Sequence, residues 1–283
     1  MRSIQIVTDS TAQLDPDLAQ QLGITVVPLE ISFGKQKFHE GVDLSTSEFF
    51  RRVSHSSAMP SSRAPTVEQF TQVYANLNQI TDRILSIHVS SKLNETCANA
   101  RLAADNFLGR CEIIVIDSWT ISLGLSILTQ AVTRAAARGN SLDDIVRLAR
   151  GMTPHLYAVF VTETLEYLER AGSLSKSQAI LGTMLGIKPF LAIEEGEITP
   201  MEKARTRDKA VDKLIEFVSE FSRINQVAVV QSPLRPGNET RHLLDRLRSN
   251  FSRYKFDTIT YGPTLATHIG PSSLGLIVYE GMR

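Results

Sequence analysis

The chain is short of the glycine spacings that phosphate loops require. No two of its 16 glycines stand one residue apart, and GxxxxGK[ST] is absent. The common loops that cradle a dinucleotide or a nucleoside triphosphate are thereby excluded. Histidine pairs are missing too. The histidines at 39, 55, 88, 155, 242 and 268 form no HxH, HExxH or HxxxH, so a zinc site would need ligands gathered from distant segments, and no metal is expected. The two cysteines, Cys97 and Cys111, form no CxxC and read as free thiols of a reducing compartment. Charge of one sign is not in excess: 16 basic and 15 acidic residues follow position 160, against 14 and 15 before it. An electrostatic footprint for nucleic acid or an anionic lipid surface is therefore lacking. No apolar run is long enough to span a bilayer, and the opening "MRSIQIVTDSTA" has neither the apolar stretch nor the cleavage site of a signal peptide. A cytoplasmic protein with no integral membrane contact is expected.

What is present is a soluble globular composition, 42% hydrophobic and 21% charged over 283 residues, long enough for one large or two medium domains. Through about residue 160 apolar runs alternate with helical periodicity, the pattern of an α/β domain with a parallel sheet covered on both faces. "SIQIVTDS" reads as a strand, and "DPDLAQQLG" as a helix with Asp15 as N-cap, Pro16 at its first position and Gly23 as its stop. "ITVVPLEISF" reads as one strand interrupted by proline, at an edge or a bulge. "TVEQFTQVYANL" carries Thr66 and Gln69 at capping-box spacing. Strands "RILSIHVS" and "EIIVIDS" follow, with helices between and after them, and "LYAVFVTE" is expected to close this first region. Beyond it the pattern becomes α+β, with a hairpin turning at Glu195-Gly196 and a helix over "DKAVDKLIEFVSEF". Two domains are expected, 1–160 and 161–283.

Hydroxyl-bearing residues gather at one kind of place. "TDST" (8–11), "SSKLNET" (90–96) and "DSWT" (117–120) each follow a strand and precede a helix, and "PSSRAPT" (60–66) leads into the helix at Val67. In a doubly wound sheet the ligand crevice lies outside the carboxyl ends of the strands, where helix amino termini also point. Such residues serve as caps and turns in any protein; their shared position adds a second reading, a crevice for a small anionic or polar head. His268 lies in "GPTLATHIGPSSLG", a segment poor in core-forming residues apart from Leu265 and Ile269. A ligand contact is expected of it, whereas His88, His155 and His242, in or beside apolar runs or on a helix, read as structural. A serine hydrolase built on Ser10 or Ser118, Asp9 or Asp117, and His268 has the residue types, but no GxSxG elbow marks a nucleophile.

Taken in order, "IVTDST", "MPSSRAPT", "SSKLNETCANA", "LEYLERAGSLS", "GIKPFLAIEEGEI" with "KARTRDKA", and "HIGPSSLG" resemble the DegV family of bacterial fatty acid-binding proteins over nearly the whole chain. The resemblance implies two α/β domains with a long-chain acyl group in a tunnel between them and its carboxyl head near the crevice. It implies that the bound fatty acid is the ligand, with no further cofactor and no catalytic residues in this chain. A separate kinase subunit would receive the presented head and form an acyl phosphate. Carried onto this sequence, the head-group candidates are Ser10, Ser62, Arg63, Asn94, Thr96 and His268. The apolar stretch "AILGTMLGIKPFL" supplies tunnel-wall candidates Ile180, Met184, Leu185, Ile187 and Phe190, with ordinary core as the alternative. Arg205 and Arg207 are candidates for docking an acidic partner surface, with plain solvated charge as the alternative.

Three positions depart from the family pattern. Ser61-Ser62-Arg63-Ala64-Pro65 stands where Thr-Thr-Ser-Gln-Pro is usual, Asn94-Glu95 where Ser-Gly is usual, and Ser173 where arginine is common. The expectation drawn from them is that Arg63 neutralises the acyl head. A binder of another acyl or small polar ligand on the same crevice remains the rival to fatty acid.

Overall fold

The computed structural model describes residues 3–56, 58–172, 187–235 and 237–282. The chain begins β1 (Gln5–Asp9), α1 (Pro16–Leu22), β2 (Ile24–Val27), β3 (Glu30–Phe33), β4 (Gln36–His39), α2 (Thr46–His55), β5 (Ser61–Arg63) and α3 (Val67–Asn78). It goes on through β6 (Arg83–His88), α4 (Thr96–Asp105), β7 (Glu112–Asp117), α5 (Leu123–Ala137), α6 (Leu142–Met152), β8 (Leu156–Val161) and α7 (Glu166–Arg170). It ends with β9 (Lys188–Glu194), β10 (Glu197–Ala204), α8 (Arg207–Ser219), β11 (Gln226–Gln231), α9 (Gly237–Asn250), β12 (Phe256–Thr260), α10 (Pro263–Ile269) and β13 (Leu274–Tyr279).

Local chemistry sets several of these boundaries. Asp15 accepts the amides of Asp17 and Leu18 at 3.0 and 3.2 Å, and Gly23 ends α1 at φ 67°, a left-handed turn that glycine enters without a Cβ penalty. Thr66 and Gln69 exchange side-chain and backbone hydrogen bonds of 2.8 and 3.3 Å, completing the capping box of α3.

Strands β2-β1-β6-β7 form a parallel sheet in that order. Successive residues point to opposite faces, so Ile6 packs with α5 and α6 while Val7 packs with Phe70 and Tyr74 of α3 and Ala100 of α4. The doubly covered parallel sheet expected from the alternating pattern is present. The run "ITVVPLEISF" is two strands, because Pro28 has no amide to give a ladder. β2 stays in the parallel sheet and β3 enters a separate antiparallel sheet of order β4-β3-β5.

The remaining strands form a six-stranded mixed sheet, β10-β9-β8-β13-β11-β12. β8 belongs here, paired antiparallel with β13 and β9, which corrects its expected place at the end of the first region. One face of this sheet packs on α8 and α9 through Val159, Phe190, Leu214, Val229, Leu243 and Leu276. The other face contributes Phe160, Leu191, Val230 and Ile277 to a cluster shared with Val89 and Ile121 beyond the parallel strands, Ile31 and Phe50 of the three-stranded sheet and its helix, and Leu265 and Ile269 of α10. An apolar interior thus lies where the three sheets meet.

Candidate ligand-binding site

The carboxyl ends of the parallel strands carry a buried polar chain. Tyr74 donates its hydroxyl to Ser86 Oγ at 2.8 Å, Ser86 lies 2.7 Å from His88 Nε2, and His88 Nδ1 lies 3.0 Å from Asp9 Oδ2. Asp9 also accepts the Val89 amide and both the amide and hydroxyl of Thr11. His88 is therefore structural, as expected, and fastens β1 to β6. Asp117 does similar work one strand over, accepting the amides of Ser91 and Trp119.

Ser10 follows Asp9, but its hydroxyl is already committed. It donates to Glu40 Oε2 at 2.8 Å and accepts the Leu29 amide at 3.0 Å. Glu40 is buried and accepts twice more, from the Thr264 amide at 3.1 Å and the Thr264 hydroxyl at 2.6 Å. Loss of solvent pushes its carboxyl above the usual range, and the Thr264 and Ser10 hydrogen bonds partly oppose that rise. Nothing local in "FHEGVD" points to this residue, since its main partner is 224 positions away.

The segment around His268 is the helix α10, buried along its whole length. Low apolar content there does not mean a surface loop; threonine hydroxyls that bond inward take the place of larger side chains. Thr267 Oγ1 lies 2.7 Å from the Thr264 carbonyl and 3.0 Å from Ser62 Oγ. His268 is only 3% exposed, and neither ring nitrogen has a hydrogen-bond partner among the described residues. Desolvation lowers its pKa to about 4, so at neutral pH the ring is uncharged, with one N–H to give and one lone pair to accept.

Two more unpartnered polar groups lie at the start of α4. Asn94 Oδ1 accepts the Thr96 amide at 2.9 Å, and among the described residues neither Asn94 Nδ2 nor the buried Thr96 Oγ1 has a partner. The segment 62–65, β5 and the residues after it, touches both helices: Asn99 of α4 donates to the Pro65 carbonyl at 2.8 Å, and Ser62 meets Thr267 of α10. Ser62 thus lies in a segment bonded both to α4, which Asn94 precedes and Thr96 opens, and to α10, which carries His268. Arg63 is placed differently. It is exposed, in register with Glu30, on the face of β5 opposite Ser62, so the structure does not bring its guanidinium to this group.

The wall candidates divide as well. Ile180, Met184 and Leu185 lie outside the described residues, as does Ser173. Ile187 is half-buried. Phe190 faces α8 and α9, and its neighbour Leu191 faces the cluster shared by the three sheets. Of the docking candidates, Arg205 is exposed and Arg207 is paired with Glu239 at 2.7 Å. The hydrolase reading gains no support. Ser10 donates to a carboxylate, Ser118 bonds the Thr120 backbone, and His268 is paired with neither. Among the described residues no group of three His, Cys, Asp or Glu is placed to hold a metal, and no helix is long and apolar enough to cross a membrane.

Residues 3–281 match the family described as "Uncharacterised protein, DegV family". A DegV domain-containing protein of Halalkalibacterium halodurans is 35% identical over 286 aligned residues, covering 99% of each chain. A solved DegV family protein from Thermus thermophilus, described by its fatty acid binding, superposes with a TM-score of 0.85 at 28% identity, over 99% of this chain and 100% of that one. DegV of Bacillus subtilis, described as a fatty acid binding protein, gives a TM-score of 0.85 at 26% identity with the same coverage.

Proposed function

The chain belongs to the DegV family, and on that premise we propose that it holds a long-chain fatty acid with its carboxyl head among Asn94, Thr96, Ser62 and His268. The tail lodges in the apolar interior between the sheets. The observation that carries this reading is the set of buried polar groups without partners among the described residues: Asn94 Nδ2, Thr96 Oγ1 and both nitrogens of His268. A buried polar group without a partner costs about 1–3 kcal/mol, so several gathered on joined elements call for a ligand that satisfies them together. A carboxylate fits, because its two oxygens accept from an amide N–H, a hydroxyl and a neutral imidazole N–H at once. The fatty acids bound by the relatives from Thermus thermophilus and Bacillus subtilis support the same class. Arg63 is left out of the head-group set because of its placement, and Ser10 because its proton is taken by Glu40.

Affinity comes chiefly from the tail. Each buried methylene contributes about 0.8 kcal/mol, so a dozen give about 10 kcal/mol gross, against about 1.5–3 kcal/mol for one charged hydrogen bond. The head contacts set orientation. An oriented carboxyl with no paired nucleophile and base beside it suits a carrier that presents the head to a second protein, and we assign that role to a kinase subunit forming an acyl phosphate. Native mass spectrometry of freshly purified protein tests the ligand: a co-purified acyl mass is expected. A bare protein that, after delipidation, also fails to displace a fluorescent fatty acid would sink the reading. For the partner, charge reversal at the exposed Arg205 is expected to slow acyl phosphate formation by an added kinase subunit while leaving fatty acid affinity unchanged.

A further inference from the structure

The stretch from Thr260 to Thr267 is strapped to the amino-terminal part of the chain at three points. Gln13 Nε2 donates to the Thr260 carbonyl at 3.0 Å, Glu40 accepts from Thr264 twice, and Ser62 meets Thr267 at 3.0 Å. The middle strap differs in kind. Its acceptor is a carboxylate, and it takes the place of a missing local cap. α10 has seven residues, and its N-cap is Gly262, which has no side chain to accept the first amides. Glu40 supplies that acceptor from across the fold. The fit is close: a Cβ on Gly262 would stand 2.9 Å from Glu40 Oε1 and 3.0 Å from Gln13 Cδ.

A helix of two turns does not hold its own shape in water, so its geometry comes from what grips it. Thr264 and His268 are four residues apart, which places them on one stripe of the helix, one turn from each other. Fixing Thr264 by both its amide and its hydroxyl sets the rotation and depth of the helix, and with them the direction in which the imidazole points.

We propose that Glu40 is a positioning residue for the head-group site, holding Thr264 so that the unpartnered ring of His268 faces the ligand. Glu40 itself does not touch the ligand. The binding arm of the test rests on the fatty acid reading above; the spectroscopic arm does not.

Three variants separate positioning from mere bulk. Glu40→Ala removes all three accepted hydrogen bonds. Glu40→Gln keeps an oxygen for the Thr264 amide but turns an NH2 donor toward the Ser10 and Thr264 hydroxyls, which must rotate to accept from it. Thr264→Val removes the hydroxyl contact alone. Histidine-labelled protein is followed by the side-chain NMR resonances of His268, identified by their loss in His268→Asn, and fatty acid affinity is measured by displacement. In Glu40→Ala the His268 resonances are expected to shift or broaden and affinity to fall about tenfold, the worth of one charge-assisted hydrogen bond. Glu40→Gln is expected to return both part of the way to wild type, since the Thr264 amide keeps its acceptor. A folded Glu40→Ala with unmoved resonances and unchanged affinity overturns the assignment, and so does a Glu40→Gln as impaired as the alanine. Should Glu40→Ala fail to fold, Thr264→Val decides: a moved His268 resonance supports the clamp and an unmoved one overturns it. If wild-type protein binds no fatty acid, the functional reading falls, while the resonances still decide the role of Glu40.

Discussion

Asn94 accepts the Thr96 amide on its side-chain oxygen, 2.9 Å away, while its NH2 group has no partner among the described residues. The oxygen holds the first amide of α4 from the position before the N-cap, and in the proposed function the nitrogen meets the ligand. Asn94→Asp separates the two functions, because aspartate keeps an oxygen for the Thr96 amide and adds favourable negative charge near a helix amino terminus, while replacing the donor with a second anionic oxygen. Thermal stability is expected to hold within a few degrees, and affinity for a fatty acid carboxylate to fall at least about tenfold. Paired melting and displacement measurements check this, and equal affinity in the variant would remove Asn94 from the site.

His268 makes stability depend on pH in a calculable direction. In the unfolded chain its pKa is about 6.5, and in the fold desolvation holds it near about 4. Between those values the unfolded state binds a proton that the folded state does not. Its contribution is therefore present in full above about pH 6.5 and is lost as pH falls toward about 4, a change of about 3 kcal/mol. Urea unfolding at pH 7, 5.5 and 4 is expected to show a loss in wild type that exceeds that of His268→Asn by this amount. Matching pH profiles for the two proteins would mean that the ring is not desolvated.

Elements governed by neighbours in the chain are legible from the amino-acid order alone. The Asp15-Pro16-Gly23 frame, the Thr66 and Gln69 box and the Glu195-Gly196 turn each depend on groups within a few positions of one another. Elements that exist through distant pairing are not. Ser61–Arg63 has no strand character of its own and is extended because it pairs with β3. α10 is a helix whose amino terminus is held by Glu40, and "LYAVFV" joins the second sheet through β13, more than a hundred positions later. At the proposed site the residue types of His268, Asn94, Thr96 and Ser62 are readable in the sequence, whereas the helix that carries His268 and the strand that carries Ser62 are not. That Ser10 is taken by Glu40, and that Arg63 faces outward, depends on strand register and burial, which no spacing in the sequence encodes.

The hairpin tip at Gly196 supplies a further expectation. Gly196 has φ 85°, and a Cβ there would collide with Ser90 Oγ and approach the Trp119 Cα to 3.2 Å. The tip of the six-stranded sheet thus rests on the carboxyl edge of the parallel sheet through a bare glycine, in a backbone conformation that other residues resist. Gly196→Ala is expected to destabilise the protein by more than about 1 kcal/mol, since strain and collision add. Faster amide exchange should be confined to the hairpin and the loop around Trp119. A variant as stable and as protected as wild type would mean that the tip does not bear on that edge.

Phe190 and Leu191 are adjacent on β9 and face opposite interiors, Phe190 under α8 and α9 and Leu191 toward the space shared by the three sheets. Both are large and buried, so alanine at either creates a cavity and costs about 2–5 kcal/mol of stability. They should part company in binding. At Leu191 the lost side chain borders the interior proposed for the acyl tail, so Leu191→Ala is expected to weaken binding of the preferred fatty acid and to shift preference toward longer or bulkier chains that fill the new volume. Phe190→Ala is expected to lower the melting temperature by a similar amount with chain preference unchanged. Displacement measured across a series of saturated acids distinguishes the two sides of the sheet: a changed profile for Phe190→Ala and an unchanged one for Leu191→Ala would place the tail beneath α8 and α9 instead.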